Sequence, residues 1–261
     1  MAVAILGDMQ SSRLSRWAPG YRELPAPAGT GEAVVCMWIG VTPPGTGGST
    51  TDVLPDGCTD LIWQQRHGVF FAGPDTGPAP ALTPPDTALV GVRFRPGAGG
   101  PALGIPLAEL RDQRVDVAGL VPWLARNLPP DLEPEETFAR MTQISRQLAT
   151  DAPPDRLVRH ATVLLAAGQT SVTDLARTVA VSERQLLRRF DAAVGYGPKT
   201  LHRVMRFRRA LTLMSADGQH LDLAVLANRA GYADQAHMTR EVTKMAGLPP
   251  AALARRWAAA A

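Results

Sequence analysis

Four side chains that could carry catalytic or metal-binding chemistry lie close together in the first half of the chain. They are Asp52, Asp56, Cys58 and Asp60. A thiolate can act as a nucleophile or bind a metal ion, but it needs a neighbouring base or several convergent ligands. His67 is the only histidine in the first half of the sequence. Because Pro-Asp-Gly before Cys58 is typical of a turn, we expect this thiol to pack as a small apolar side chain and the protein not to be an enzyme.

The cysteine count also limits the cofactors that the chain could hold. Cys36 and Cys58 are its only cysteines, which is too few for a disulfide framework or a four-thiolate zinc site. One disulfide could form only if the two residues meet, and two buried thiols are the alternative that we expect. The sequence also has no phosphate-binding Gly-Lys-Ser/Thr loop. We therefore predict no metal and no cofactor.

Charge is divided unevenly along the 261 residues. Residues 1–150 carry 11 arginines and 15 acidic residues, a net charge of −4, whereas residues 151–261 carry 16 basic and 9 acidic residues, a net charge of +7. Lysine and arginine gain affinity for polyanions by releasing counterions from phosphates. The sequence therefore predicts a neutral-to-acidic domain followed by a domain that binds nucleic acid.

Targeting segments are not evident in the sequence. Met1–Gln10 lacks a basic region followed by a long apolar run, and no later stretch approaches the roughly 18–20 apolar residues needed to span a bilayer. We expect a soluble, cytoplasmic protein without a membrane partner.

An internal repeat occupies the basic part of the chain. Leu175-Ala176 aligns with Leu226-Ala227, and after one inserted residue Ser182 aligns with Asp234. Each copy predicts a helix with a small alanine, a turn, a capping residue and a second helix that ends at glycine. These are the parts of a helix-turn-helix, which we predict at 173–194 and 223–246.

The outward faces of the second helices carry side chains that suit contact with DNA. Arginine, glutamine and threonine donate hydrogen bonds to base edges or phosphates. The predicted DNA-binding residues are Arg184, Leu187, Arg188 and Arg189 in the first copy, and Gln235, Ala236, Thr239 and Arg240 in the second.

A long helix is predicted between the copies, at 198–214. Apolar residues spaced by three and four residues define its buried side, and about 25 Å of helix would hold the two recognition helices roughly one DNA turn apart. Arg206 and Arg209 on this helix are predicted phosphate contacts. A solvated helix face is the alternative interpretation of its arginine cluster.

Five segments carry a resemblance to a known family. They are Ser182–Phe190, Gly195–Pro198, Arg206–Leu211, Ala230–Arg240 and Gly247–Pro250. Together they resemble the DNA-binding domain of AraC/XylS-family bacterial transcription regulators. The resemblance implies that two recognition helices enter successive major grooves of double-stranded DNA. Val242 departs from the pattern because an aromatic residue is usual there, Ala236 is short for a base contact, and the usual basic stretch is reduced to Lys244.

The first hundred residues predict β-structure, because short apolar groups alternate with turns rich in glycine and proline. The predicted strands are Ala33–Gly40, Thr51–Leu54, Asp60–Gln64, Gly68–Ala72 and Leu89–Arg95. The expected fold class is therefore α+β with two domains. A β-rich small barrel or cupin-like domain with trailing helices precedes an all-α domain with two helix-turn-helix motifs and a long linker helix.

Two helices are predicted after the strands, at Leu107–Arg114 and Glu135–Leu148. We place the domain boundary near Asp151–Pro154, which gives domains at 1–150 and 155–261. The second helix could connect the domains, pack against a second subunit, or close the core of the first domain.

The first domain also resembles, through Val53–Trp63 and Phe71–Asp75, the β-rich sensor-like domains of some AraC/XylS regulators. The resemblance implies a small-molecule effector or a dimerising role. A pocket could be lined by Trp38, Trp63, Phe71, Arg93 and Phe94, although such aromatic residues are often simply core. The candidate partners are thus double-stranded DNA, RNA polymerase, a small-molecule effector and a second copy of the chain.

Overall fold

The computed structural model describes residues 16–168, 171–217 and 222–258. The segment Met1–Gln10, for which we predict no targeting signal, lies outside these residues. No helix among the described residues is both long enough and apolar enough to cross a membrane.

Within residues 16–168, eight strands are present. They are β1 (Gly20–Pro25), β2 (Val34–Thr42), β3 (Ser49–Val53), β4 (Thr59–Gln64), β5 (Gly68–Ala72), β6 (Ala79–Thr83), β7 (Thr87–Phe94) and β8 (Arg114–Asp116). Six of them form one antiparallel sheet in the order β1-β2-β7-β4-β5-β8, and β3 pairs with β6 in a separate two-stranded ribbon. The large sheet is open, with β1 and β8 at its edges, so the β-rich prediction is confirmed without a closed barrel.

Helices occur from Gly99 onwards, after β7. They are α1 (Gly99–Leu103), α2 (Pro122–Asn127), α3 (Pro134–Asp151), α4 (Arg156–Ala166), α5 (Val172–Thr178), α6 (Glu183–Val194), α7 (Pro198–Asp217), α8 (Leu223–Ala230), α9 (Gln235–Ala246) and α10 (Pro250–Ala258). The predicted helix Leu107–Arg114 is wrong. A short 3-10 helix covers only Leu107–Leu110, and Arg114 begins β8, whose backbone pairs with β5.

One face of the large sheet packs against α3. The alternation of strand residues puts Met37, Leu61 and Val92 on this face, where they join Met141 and Ile144 of α3 in a single apolar core. The helix predicted at Glu135–Leu148 thus closes the core of the β-rich region, which is one of the three arrangements given for it above.

A second core belongs to the helices after Asp155. The apolar side of α7 supplies Val204, Phe207, Leu211 and Met214, all buried, which confirms the predicted periodicity of the linker helix. Burial of one large apolar side chain contributes about 1.5–3 kcal/mol relative to leaving it in water. Because α8 and α9 pack against α7, and buried residues of α5 and α6 belong to the same apolar core, α7 helps to hold the two helix-turn-helix copies together.

The β-rich region touches the recognition helix of the first copy. Arg111 donates a hydrogen bond from Nε to the carbonyl oxygen of Gly195 at the end of α6, at 2.7 Å. The contact is close, since a Cβ atom built on Gly195 would lie 2.5 Å from Cγ of Pro74. The turn at Gly57 also lies close to α7, because a Cβ atom there would be 3.0 Å from Cδ1 of Leu201.

Candidate DNA-binding surface

The first helix-turn-helix is formed by α5 and α6. Ser182 accepts a hydrogen bond from the backbone N–H of Gln185, whose side chain accepts one from the backbone N–H of Ser182, so this helix begins with a capping box. Leu186 and Phe190 face the core, and Gly195 ends the helix at a φ of 89°. The predicted cap, inward residues and terminating glycine are confirmed.

The outer face of α6 is open to solvent. Arg184 and Arg188 are exposed and line a shallow surface pocket together with Gln185 and Asp191. Leu187 is also on this face, with 40% of its surface exposed. These side chains are placed where a nucleic acid could reach them.

Arg189 differs from its neighbours. Its Nη1 atom lies 2.8 Å from a carboxylate oxygen of Asp155, the residue that caps α4. The side chain remains partly exposed, so the pair is a surface ion pair of about 0–1 kcal/mol. Arg189 therefore ties α6 to α4, unlike Arg184 and Arg188, for which the described part of the chain shows no ion pair.

The second helix-turn-helix, α8 and α9, repeats this construction. The side chain of Asp234 accepts a hydrogen bond from the backbone N–H of His237, and Gly247 ends α9 at a φ of 71°. Met238 and Val242 are buried as predicted. The equivalent apolar positions of both copies thus face one shared core.

The predicted contact residues of α9 differ in how exposed they are. Gln235, Ala236 and Arg240 are exposed, whereas Thr239 is half-buried and donates its hydroxyl to the carbonyl oxygen of Gln235 at 2.9 Å. Arg240 is therefore an exposed cationic side chain of α9, and Lys244 is exposed one turn further along the same helix.

The two predicted phosphate contacts on α7 have different surroundings. Arg209 is exposed. Arg206 has only 14% of its side chain exposed, donates a hydrogen bond to Glu241 of α9 at 2.5 Å, and lies over the ring of Tyr232. These contacts place Arg206 inside the domain, between α7 and α9, and not on a free phosphate-binding face.

Glu241 and Tyr232 were not identified as functional residues from the sequence. The only signal was an acidic residue next to Arg240 on a helix otherwise expected to face a polyanion. Its partners on α7 are distant in sequence, so the pairing depends on tertiary structure.

The five residues predicted to line a pocket are not brought together. Trp63, Phe71 and Phe94 are at most 1% exposed and belong to the core beneath α3. Trp38 and Arg93 lie on the opposite face of the same sheet, because side chains alternate along a strand. The structure therefore divides the predicted pocket between two faces.

That opposite face combines aromatic and charged side chains. Trp38 covers Gly91 and donates its indole N–H to Asp60 at 2.6 Å, and Arg93 lies 3.3 Å from the same carboxylate. Arg93 also pairs with Glu23 of β1 at 3.1 Å. Burial raises the pKa of Asp60, while the nearby Arg93 opposes that increase. The face is polar at one end and apolar around Cys36 and Ile62.

The cysteines lack the surroundings of a catalytic thiol. Both are free, and burial raises the pKa of Cys36 to about 12 and that of Cys58 well above its usual value. Cys58 precedes β4, whereas His67 follows the other end of that strand, roughly 20 Å away at about 3.3 Å per residue. Among residues 16–168, 171–217 and 222–258, no group of three or more histidine, cysteine or acidic side chains could hold a metal ion.

The geometry defines the class of the C-terminal region. Two capped helix-turn-helix units share one core and are joined by one long helix, and each presents an exposed arginine at the equivalent position, Arg188 and Arg240. The region is a tandem helix-turn-helix domain.

Comparison with known proteins agrees with this assignment. Residues 175–256 match the family model described as a helix-turn-helix domain, and residues 22–116 match a domain of unknown function (DUF6597). An AraC-like transcription regulator of Streptomyces lividans is 35% identical over 80 residues, which are 31% of this chain and 26% of that protein. The chain thus carries a segment that matches DUF6597, followed by a helix-turn-helix domain that is similar to that of an AraC-like regulator.

Two solved structures are similar to parts of the chain. A protein of Rhodopseudomonas palustris CGA009 that is described as a probable AraC family transcriptional regulator is 21% identical, with a TM-score of 0.35 over 39% of this chain and 97% of that one. ToxT of Vibrio cholerae O395 is 10% identical, with a TM-score of 0.42 over 80% of this chain and 94% of that one. The matched segment spans about a quarter of the length of the Streptomyces relative.

Proposed function

We propose that this protein is a sequence-specific transcription regulator that binds double-stranded DNA. The observation that carries the proposal is the pair of exposed recognition helices, α6 and α9, held by α7. Twenty residues of α7 correspond to about 30 Å at 1.5 Å per residue, close to the 34 Å of one DNA turn. A linker helix on this scale would suit two reading helices that enter successive major grooves on one side of a duplex.

The exposed arginines give each helix a means of reading sequence. Arg188 and Arg240 occupy equivalent positions, and an arginine that makes two hydrogen bonds to guanine contributes about 1–3 kcal/mol of discrimination. Arg184, Gln235 and Arg209 are also exposed and would add base or phosphate contacts. Leu187 would contact a thymine methyl group.

Selection of duplexes from a random library by the full chain, followed by gel-shift titration, tests the proposal. Arg188→Ala and Arg240→Ala should each lower the affinity for the selected duplex by about 5- to 150-fold. Each should also relax the sequence preference, at positions about one DNA turn apart. Arg146→Ala is the control, since this exposed arginine lies on α3. Absence of any selective duplex, with the protein folded by circular dichroism, would refute the function.

For the β-rich region, we propose a sensory role in which a small molecule or a second copy of the chain alters DNA binding. Two features support it: the aromatic and charged sheet face around Trp38 and Arg93, and the contact of Arg111 with the end of α6. A ligand can shift the regulator only through different affinities for its active and inactive states. RNA polymerase would be a partner in activation, and the place of action would be the cytoplasm.

The sensory role is tested on the full chain with a panel of small molecules. A ligand of the native state raises the melting temperature, and a true effector also changes affinity for the selected duplex. Size-exclusion chromatography with light scattering determines whether the chain dimerises. If it stays monomeric and no compound changes DNA affinity, the β-rich region has only a structural role.

A further inference from the structure

Glu241 is a carboxylate on the second recognition helix, next to the exposed Arg240. Its Oε1 atom lies 2.9 Å from Nε of Arg203, and its Oε2 atom lies 2.5 Å from Nη2 of Arg206. Only 12% of its side chain is exposed. One carboxylate on α9 thus pairs with two guanidinium groups of α7.

The same cluster extends to the turn between α8 and α9. The guanidinium carbon of Arg206 lies 4.5 Å from the centre of the Tyr232 ring, and the ring of His237 meets that of Tyr232 edge to face at 5.4 Å. Nε2 of His237 is 3.6 Å from Oε1 of Glu241. Arg206 therefore joins the linker helix, the turn and the recognition helix at one point.

The charges favour an ionised pair. Partial burial alone would raise the pKa of Glu241, but hydrogen bonds and attraction from Arg206 and Arg203 lower it below its ordinary value. Removal of the Glu241 carboxylate would leave the charges of Arg203 and Arg206 without this partner, either desolvated or able to pair with another group. On a DNA-binding surface the new partner available to a freed arginine is phosphate.

We infer that Glu241 is a positioning residue with two effects, which rest on the proposed function. It fixes α9 against α7 so that Arg240 is presented in one register, and it withholds Arg203 and Arg206 from DNA phosphates. Phosphate contacts add affinity for every sequence alike, whereas base contacts discriminate. Glu241 thereby lowers affinity for unrelated DNA and increases selectivity.

Glu241→Gln tests this inference in the full chain. The probes are a mixed-sequence 30-base-pair duplex and a duplex selected by the wild-type protein, each titrated over a series of salt concentrations. On the mixed duplex the slope of log affinity against log salt should steepen by about one to two units, because each additional phosphate contact adds about 0.9. The ratio of affinities for the selected and mixed duplexes should fall at least about tenfold, the size of one lost base contact.

Two further variants separate positioning from a general effect of charge or folding. Glu135→Gln removes the same charge from an exposed position on α3 and should leave slope and ratio unchanged. Glu241→Asp keeps the negative charge and should keep the wild-type slope and most of the ratio. If Glu241→Gln behaves like Glu135→Gln, or loses binding to both duplexes equally together with its melting temperature, the inference is overturned.

Arg203→Gln provides a test that does not depend on how Glu241 variants fold. If Glu241 keeps Arg203 away from phosphate, Arg203→Gln should not change the slope of log affinity against log salt on the mixed duplex. Arg209→Gln, on the exposed side of the same helix, should flatten that slope by about one unit. A flattening of one unit by Arg203→Gln would show that this side chain already binds phosphate and would overturn the inference. Failure of the proposed function is a separate result, since it is absence of selectivity in the wild-type protein.

Discussion

The turns of the two helix-turn-helix units have the same backbone but different residues at their critical position. Val181 N–H donates to Ala176 and Ala180 N–H to Arg177, and Tyr232 and Gly231 make the equivalent bonds to Ala227 and Asn228. Both are Schellman motifs, which need a left-handed residue after the helix. That residue is Ala180 at a φ of 56° in one copy and Gly231 at 87° in the other.

This difference predicts opposite effects of two simple substitutions. A left-handed conformation costs an L-residue about 1–2 kcal/mol, and glycine costs about 0.4–1 kcal/mol of unfolded-state entropy relative to alanine. Ala180→Gly should therefore raise the free energy of unfolding by about 0.5–1 kcal/mol. Gly231→Ala should lower it by about the same amount. A Cβ atom at Gly231 would lie 3.9 Å from Cδ of Arg206, so this cost arises from the backbone and not from a clash.

Urea unfolding of the full chain by circular dichroism measures both changes, and the melting temperature should shift by about 1–4 °C in each direction. Ala139→Gly is the control, because Ala139 is exposed within α3 and glycine there should destabilise the helix by about 0.5–1 kcal/mol. The same chemical change thus has opposite signs at the two positions. The prediction is refuted if Ala180→Gly destabilises the protein as Ala139→Gly does. In that case the relief of backbone strain at the turn is smaller than the entropy that glycine adds to the unfolded chain.

Further predictions concern the β-rich region and the thiols. Gly91→Ala should destabilise the fold by about 1–3 kcal/mol, because its Cβ atom would lie 1.9 Å from Cε2 of Trp38, and urea unfolding with tryptophan fluorescence would detect it. A wild-type free energy in this variant would contradict the packing of Trp38 on Gly91. Burial raises the pKa of Cys36 and Cys58, so both should stay protonated and react with a thiol reagent at pH 8 only after unfolding. Rapid labelling of the native protein would count against these positions.

The helix-turn-helix copies were predictable because their signals are local. A cap such as Ser182, a glycine at the helix end and apolar residues spaced by three and four all lie within one segment, and the repeat provides each signal twice. Strand β5 was predicted with its observed bounds for the same reason, as a short apolar run between turns. In contrast, β1, β6 and β8 were missed because they are short, partly exposed or rich in proline and charge.

Features that depend on pairing could not be obtained from the sequence. Leu107 and Leu110 have helical spacing, but a single 3-10 turn is enough to bury both. The residues from Arg114 then form a strand, because β8 pairs with β5. Strand alternation alone indicates that Arg93 and Phe94 face opposite sides of the sheet. Assignment of Trp38 to the side of Arg93 requires the register of β2 against β7. The pairing of Arg206 with Glu241 likewise depends on how α9 lies across α7.

The repeat has a direction. Its two recognition helices come from one chain and carry different side chains, with Arg184 and Leu187 on α6 and Gln235 and Thr239 on α9. A symmetric dimer reads a palindrome and binds equally in both orientations, whereas α6 and α9 together would read two unlike half-sites in a fixed order. A regulator built this way sits on its site with one polarity. Inversion of that site would reverse the orientation of the bound protein along the DNA. The β-rich region would then face away from the part of the promoter that it faced before.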